Sequence, residues 1–171
     1  RMPTMRLIPL AALLLCSATP AIAAAPVNPL IDYPGFERLT SEVRTLRSKR
    51  LVPLATFKDM ATKDNTLILD ARSPAAFKAG HIAGAVNLPF SDFTAEALAD
   101  VIGKDTNRPI LIYCNNNFTN NKEPVVTKAL PLALNIPTFV NLVGYGYRNV
   151  WELGEAVDFT NPAVGWVTTQ R

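Results

Sequence analysis

The sequence predicts an α/β domain, with a mainly parallel central sheet covered by helices on both faces and a helical segment ahead of it. Three observations carry this. Of the 171 residues 49% are hydrophobic and 18% charged, enough apolar surface to bury a core and too little charge for a disordered chain. Short apolar runs alternate with segments of helical periodicity along most of the chain. Those runs are apolar at consecutive positions, as befits strands covered on both faces rather than on one.

In chain order, residues 27–50 begin with breakers at Pro29, Pro34 and Gly35. Phe36, Leu39, Val43 and Leu46 then recur at helical spacing, which predicts a helix that packs on the domain that follows. Leu51 and Val52 read as a short strand, 56–61 as one or two helical turns and 66–70 as a buried strand. Ser73 as cap and Pro74 at the first helical position start a helix over 74–79. Residues 85–88 read as extended and 93–102 as an amphipathic helix that Gly103 terminates. Residues 109–113 are the clearest strand, running into Cys114 and a polar loop, and 124–134 read as the helix that follows. Residues 138–142 read as the last strand, 147–153 as the last helix, and the final dozen, with Asn161, Pro162 and Gly165, as a loose tail.

The beginning of the sequence has a different logic. Arg6 precedes a short apolar run ending at Cys16, and Ala21-Ile22-Ala23 follows; a basic start, a short apolar stretch and an Ala-x-Ala site describe a secretory signal peptide. Interrupted by Pro9, the run falls short of the about 20 residues that span a bilayer, so no stable membrane insertion is expected after cleavage. A lipid anchor on Cys16 fits poorly because Leu13, Leu14 and Leu15 before it are bulky. The expected division is a signal peptide at 1–23, an N-terminal helical extension at 24–50, one domain at 51–157 and a C-terminal tail at 158–171, with a periplasmic or secreted location.

Cleavage after Ala23 removes Arg1 and Arg6 from 17 basic residues set against 14 acidic ones, so the net charge drops from +3 by two. That removes the hint of a nucleic-acid partner. Arg44, Arg47, Lys49 and Arg50 form one local excess, but no aromatic residues are interleaved with them as a single-strand binder needs, and they read as solvating the end of a helix. Two cysteines cannot staple a chain of this length, and one histidine without a CxxC pair gives no metal site.

With Cys16 gone, Cys114 is the remaining thiol. It directly follows an apolar strand and precedes a loop in which every residue from 115 to 122 except Phe118 is polar. Ligands of open α/β sheets bind at the carboxyl ends of strands, and a helix N-terminus nearby lowers a thiol's pKa. Two readings stand: a buried, inert core cysteine, or a reactive nucleophile.

The run Asp70-Ala-Arg72-Ser-Pro-Ala-Ala-Phe77, the block Gly80-His81-Ile-Ala-Gly-Ala85-Val-Asn-Leu-Pro89, the strand-end Cys114, and Asn141-Leu-Val-Gly144 with Trp151 and Gly154 together resemble a single rhodanese domain over about 51–157. The resemblance implies a sulfurtransferase-type site. The Cys114 thiolate takes sulfane sulfur from a small donor such as thiosulfate, becomes a persulfide, and passes the outer sulfur to a thiol or protein acceptor. It implies that neither metal nor organic cofactor is required, and it implies site-supporting, structural roles for Asp70, Arg72 and His81. The glutamates usual in the first motif are Ala75 and Ala76 here, so Arg72 is expected to have lost a salt-bridge partner.

The loop departs from the family pattern. Asn115, Asn116, Asn117, Phe118, Thr119, Asn120, Asn121 and Lys122 include no Gly and no Arg, and the first cation is Lys122. Related phosphatase domains need an Arg about six residues after the cysteine, where this chain has Asn120, so phosphatase activity is not expected. Asparagine tolerates left-handed backbone and can replace glycine in a solvated loop; alternatively, these side chains present neutral donors to a substrate. Phe118 either anchors the loop or walls the pocket. Arg148, in a Gly-Tyr-Gly-Tyr-Arg turn one residue longer than usual, is a candidate to replace the missing loop cation. The leading expectation is an exported sulfurtransferase with weak or narrow action on thiosulfate; the other is a non-catalytic binding or redox-partner module holding a small anion or peptide at the same loop.

Overall fold

A computed structural model describes residues 28–169; the signal-peptide assignment, and Cys16 with it, lies outside the described residues. From Asp32 to Thr169 the chain forms one compact unit. Five parallel strands make its central sheet, in the order β1 (Leu51–Val52), β6 (Val150–Leu153), β5 (Ile110–Tyr113), β2 (Leu67–Asp70), β4 (Ala85–Asn87). A second, two-stranded sheet pairs β3 (His81–Ile82) antiparallel with β7 (Trp166–Val167). The helices are α1 (Tyr33–Arg47), α2 (Leu54–Ala61), α3 (Pro74–Ala79), α4 (Ala95–Ile102) and α5 (Asn135–Gly144).

The two-residue period of the strands sorts the core onto two faces. Leu67, Leu69, Ile110, Ile112 and Val150 point to one face and pack with Val43 of α1, Leu98 and Ile102 of α4, and Phe139, Val140 and Val143 of α5. Ile68, Leu111, Tyr113 and Leu153 point to the other and pack with Leu54 and Phe57 of α2 and with Val164. The expected α/β sheet with helices on both faces and a leading helix is therefore present. Local chemistry sets the helix ends. The Asp32 carboxylate accepts the Gly35 N–H at 2.8 Å, Ser73 caps α3 through the Ala76 N–H at 3.2 Å, and Thr94 caps α4 through Ala97 at 3.1 Å. Gly103, at φ 98°, ends α4 in a conformation that favours glycine.

The structure corrects the sequence reading beyond Cys114. Residues 124–134 are not a helix: they run as coil with a single 3₁₀ turn at Leu130–Leu132. Pro131 is incompatible with a helix interior, and the Lys128 N–H goes to the Asn116 side chain at 3.1 Å instead of to a helical carbonyl. Residues 138–142 are not a strand but the middle of α5. Ile136, Phe139, Val140 and Val143 have helical spacing, and their β-branched and aromatic side chains, which favour strands, concealed it. Residues 147–153 are not the last helix; they hold strand β6, whose Glu152 faces inward and breaks the apolar pattern by which a buried strand is recognised. The final residues do not form a loose tail as far as Thr169. They make a 3₁₀ turn at Pro162–Val164, bury Val164 completely, and add β7 to the edge of His81–Ile82.

Candidate functional site

Cys114 sits one residue beyond the carboxyl end of β5, the middle strand of the sheet. By strand alternation its side chain falls on the face of Ile112, beneath α1 and α5, where it lines a cavity of about 520 Å³. The walls come from Thr40, Val43, Arg44 and Arg47 of α1, from Asn135, Ile136, Phe139 and Val140 of α5, and from residues 152–156 at the end of β6. The helix whose N-terminus faces the sulfur is thus α5, beginning 21 positions after Cys114, and not a helix at Pro124.

Burial dominates the thiol. Cys114 is 1% exposed, and desolvation pushes its pKa above the usual thiol range; backbone N–H groups of Asn135, Asn116 and Leu134 favour the thiolate, while the nearby Glu152 charge opposes it. The expectation of a lowered pKa is corrected for that reason: the N–H groups are present, but they do not outweigh the loss of solvent. Once sulfur carries a charge, those same nearby N–H groups favour it.

The asparagine loop is built mainly to hold itself. The Asn117 Oδ1 accepts the Cys114 N–H at 2.9 Å and the Asn135 Nδ2 at 2.9 Å, while its Nδ2 donates to the Leu153 carbonyl at 2.7 Å. Asn115 donates to the Val126 carbonyl at 2.8 Å and accepts from Arg72 at 3.2 Å. Asn116 makes a two-way pairing with the backbone of Lys128 at 2.8 and 3.1 Å. Asn120 bridges Asp158 and the Phe159 N–H, both at 2.9 Å, and Asn121, at φ 42°, accepts from Thr127. Thr119 donates its N–H to the Val157 carbonyl at 3.0 Å. Phe118 is 2% exposed and meets Tyr113, Phe159 and Trp166 edge-on, so it anchors the loop on the face of the sheet opposite the cavity. Lys122 is exposed, with its ammonium 5.8 Å from the Phe159 ring centre. Arg148 pairs with Glu42 on the outer surface and does not line the Cys114 cavity.

Asp70, Arg72 and Tyr113 form a second buried network, on the Phe118 side. Arg72 reaches the Asp70 carboxylate at 2.6 Å and the Gly80 carbonyl at 2.7 Å, so with alanine at 75 and 76 its ion-pair partner is the aspartate two residues upstream. Burial would depress its pKa, but the bonds to Asp70 raise it overall. The Tyr113 hydroxyl donates to Asp70 at 2.5 Å and accepts from Ile82 at 3.1 Å; burial and the Asp70 charge raise its pKa far above the ordinary phenol value. His81 bonds the Phe77 carbonyl through Nδ1 at 2.8 Å and stacks on the Phe77 ring at 3.7 Å. Together these contacts fix the turns that follow β2 and α3.

Sequence reasoning missed the opposite wall. Arg47 binds Glu152 bidentately at 2.6 and 2.7 Å, and Glu152, 4% exposed, also accepts from Asn135 at 3.2 Å. A continuous chain of contacts therefore links α1 to the cysteine: Arg47, Glu152, Asn135, Asn117, Cys114. The signal available in the sequence was the cluster of arginines at 44 and 47, which read as solvation of a helix end.

Residues 54–154 match the family model for the rhodanese-like domain, and the chain belongs to that family. Among solved structures it is similar to the BH2092 protein of Bacillus halodurans at 16% identity, with 80% of this chain and 87% of that one covered and a TM-score of 0.52. It also matches a single-domain sulfurtransferase of Saccharomyces cerevisiae at 12% identity, covering 63% and 84% of the two chains with a TM-score of 0.43. A 3-mercaptopyruvate sulfotransferase of Escherichia coli matches at 21% identity, covering 62% and 41% with a TM-score of 0.43. No curated protein matches the chain.

Proposed function

We propose that the protein is a sulfurtransferase in which Cys114 carries sulfane sulfur as a persulfide and passes it to a thiol or another nucleophilic acceptor. One observation carries the reading: the sulfur lines a cavity at the carboxyl end of the central strand, with the backbone N–H groups of Asn135, Asn116 and Leu134 near enough to favour its charged form. Membership of the rhodanese-like family supports it. In the first half-reaction the thiolate attacks the outer sulfur of the donor; the donor's sulfur–sulfur bond breaks and its remaining fragment leaves with the electron pair. In the second, the acceptor attacks the outer sulfur of the Cys114 persulfide and releases the thiolate. The backbone donors stabilise negative charge on sulfur in both states, and the largely apolar walls beside Cys114 strengthen that interaction by lowering the local dielectric.

The same reading places the protein outside the cytoplasm, by the signal peptide expected at 1–23, and gives it slow turnover of thiosulfate, because no loop cation reaches the cavity. Transfer from polysulfide to a small thiol, followed as loss of polysulfide absorbance, tests it: the wild type is expected to transfer catalytically and Cys114→Ser to fall to the uncatalysed rate. Equal rates for the two would leave the binding-module reading.

A further inference from the structure

Helix α1 lies outside the family match at 54–154, yet it forms one wall of the Cys114 cavity through Thr40, Val43, Arg44 and Arg47. At about 520 Å³ the cavity is in the size range of sites for small organic ligands, roughly 300–1,000 Å³. Val43, Ile136, Phe139 and Leu153 make much of its surface apolar, which disfavours a bare inorganic dianion that must shed its water to enter.

The charged groups facing the cavity are Arg44, Arg47, Glu152 and Glu155. Arg47 is held by Glu152, and Glu155 takes the N–H of Leu54 at 2.7 Å. Among the described residues Arg44 has neither an ion pair nor a side-chain hydrogen bond. Deeper in, Asn135 is 6% exposed and its Oδ1 is a buried acceptor without a partner; the amide orientation is fixed, because its Nδ2 donates to two acceptors, Asn117 Oδ1 and Glu152 Oε1. The Thr40 hydroxyl on the facing wall is also buried and unpartnered. Buried acceptors are rarely left unsatisfied, and these belong to residues that line a cavity ending at a nucleophile.

We propose that the cavity takes an organic sulfur donor of the amino-acid or short-peptide class, its carboxylate held by Arg44 and its N–H accepted by Asn135 Oδ1. This rests on the sulfur-transfer reading and names its substrate. For a persulfide donor RSSH the transfer is RSSH plus Cys114–SH giving RSH plus Cys114–SSH. The R–S to S bond breaks, the Cys114 S–S bond forms, the leaving RS⁻ takes the proton, and no external oxidant or reductant enters.

The test compares cysteine persulfide, its ethyl ester and inorganic polysulfide as donors to the full chain. The acid is expected to exceed the ester in kcat/KM by about tenfold, the worth of one charge-assisted hydrogen bond. Arg44→Ala is expected to bring that ratio close to one through KM, and Arg44→Lys to restore part of it. Arg44 is exposed, and an unchanged melting temperature checks that the variant folds. Binding is read independently with S-methylcysteine, which cannot transfer sulfur: it should slow alkylation of Cys114 in the wild type and lose this effect in Arg44→Ala. An ester as good as the acid, or the same ratio in wild type and Arg44→Ala, overturns the assignment. Loading by polysulfide without preference for the acid defeats the substrate class and leaves sulfur transfer standing, whereas no loading by any of the three donors defeats sulfur transfer itself.

Discussion

At the scale of single residues, the site is governed by what surrounds one sulfur atom. Cys114 was legible in the sequence because an apolar strand ending in a polar loop is a local pattern. Its protonation was not, because burial is set by α1 and α5, which lie far from it in sequence. The three backbone donors and the desolvation oppose each other, and desolvation prevails. Alkylation of Cys114 by iodoacetamide should therefore rise with pH to a midpoint above that of a free cysteine, about 8.5; a midpoint below it would contradict the placement of the thiol. Stability should follow the same sign. The unfolded chain loses its thiol proton first, so folding weakens as pH rises from the unfolded pKa through the higher folded one. The asparagines teach a related lesson. Their polarity suggested substrate contact, yet Asn115, Asn116, Asn117, Asn120 and Asn121 spend their side chains on loop backbone and neighbouring side chains, the work that secondary structure does elsewhere.

Among the elements, those specified by local rules were readable and those specified by distant partners were not. Ser73 with Pro74 announces α3 through capping chemistry, and amphipathic periodicity with Gly103 at its end announces α4; the apolar runs of β2 and β5 announce buried strands. The three segments after the loop were misassigned in succession, each for its own reason, and in the last of them Glu152 makes β6 look like an amphipathic helix because its partner, Arg47, lies 105 positions away. The pair that hides the strand also fastens α1 to the sheet beside Cys114. Arg47→Ala strands a buried carboxylate, and its cost is expected to be about 2 kcal/mol, reduced from the value for a fully buried pair because the Arg47 side chain is 41% exposed. Urea unfolding would measure it. No loss of stability would mean that the pair contributes nothing to docking α1.

For the molecule as a whole, the rhodanese-like domain supplies the sheet, the strand-end cysteine and the N-terminus of α5, while the flanking segments finish the structure. On one face α1 closes the cavity; on the other β7 and Trp166 cover the aromatic anchor of the loop and stand over Arg72 at 5.4 Å. Fold class and the strand-end cysteine were visible in the sequence because they follow from periodicity and strand-end position. The walls of the cavity were not, because tertiary packing alone brings residues 40–47, 114–117, 133–140 and 152–156 together. The central claim is that this assembly carries sulfur on Cys114. Its most direct test is the intact mass of the protein after incubation with polysulfide and removal of excess donor. The account predicts a gain of one sulfur atom per chain, absent in Cys114→Ser and discharged by a thiol acceptor; an unchanged mass for the wild type, or an equal gain in Cys114→Ser, would contradict it.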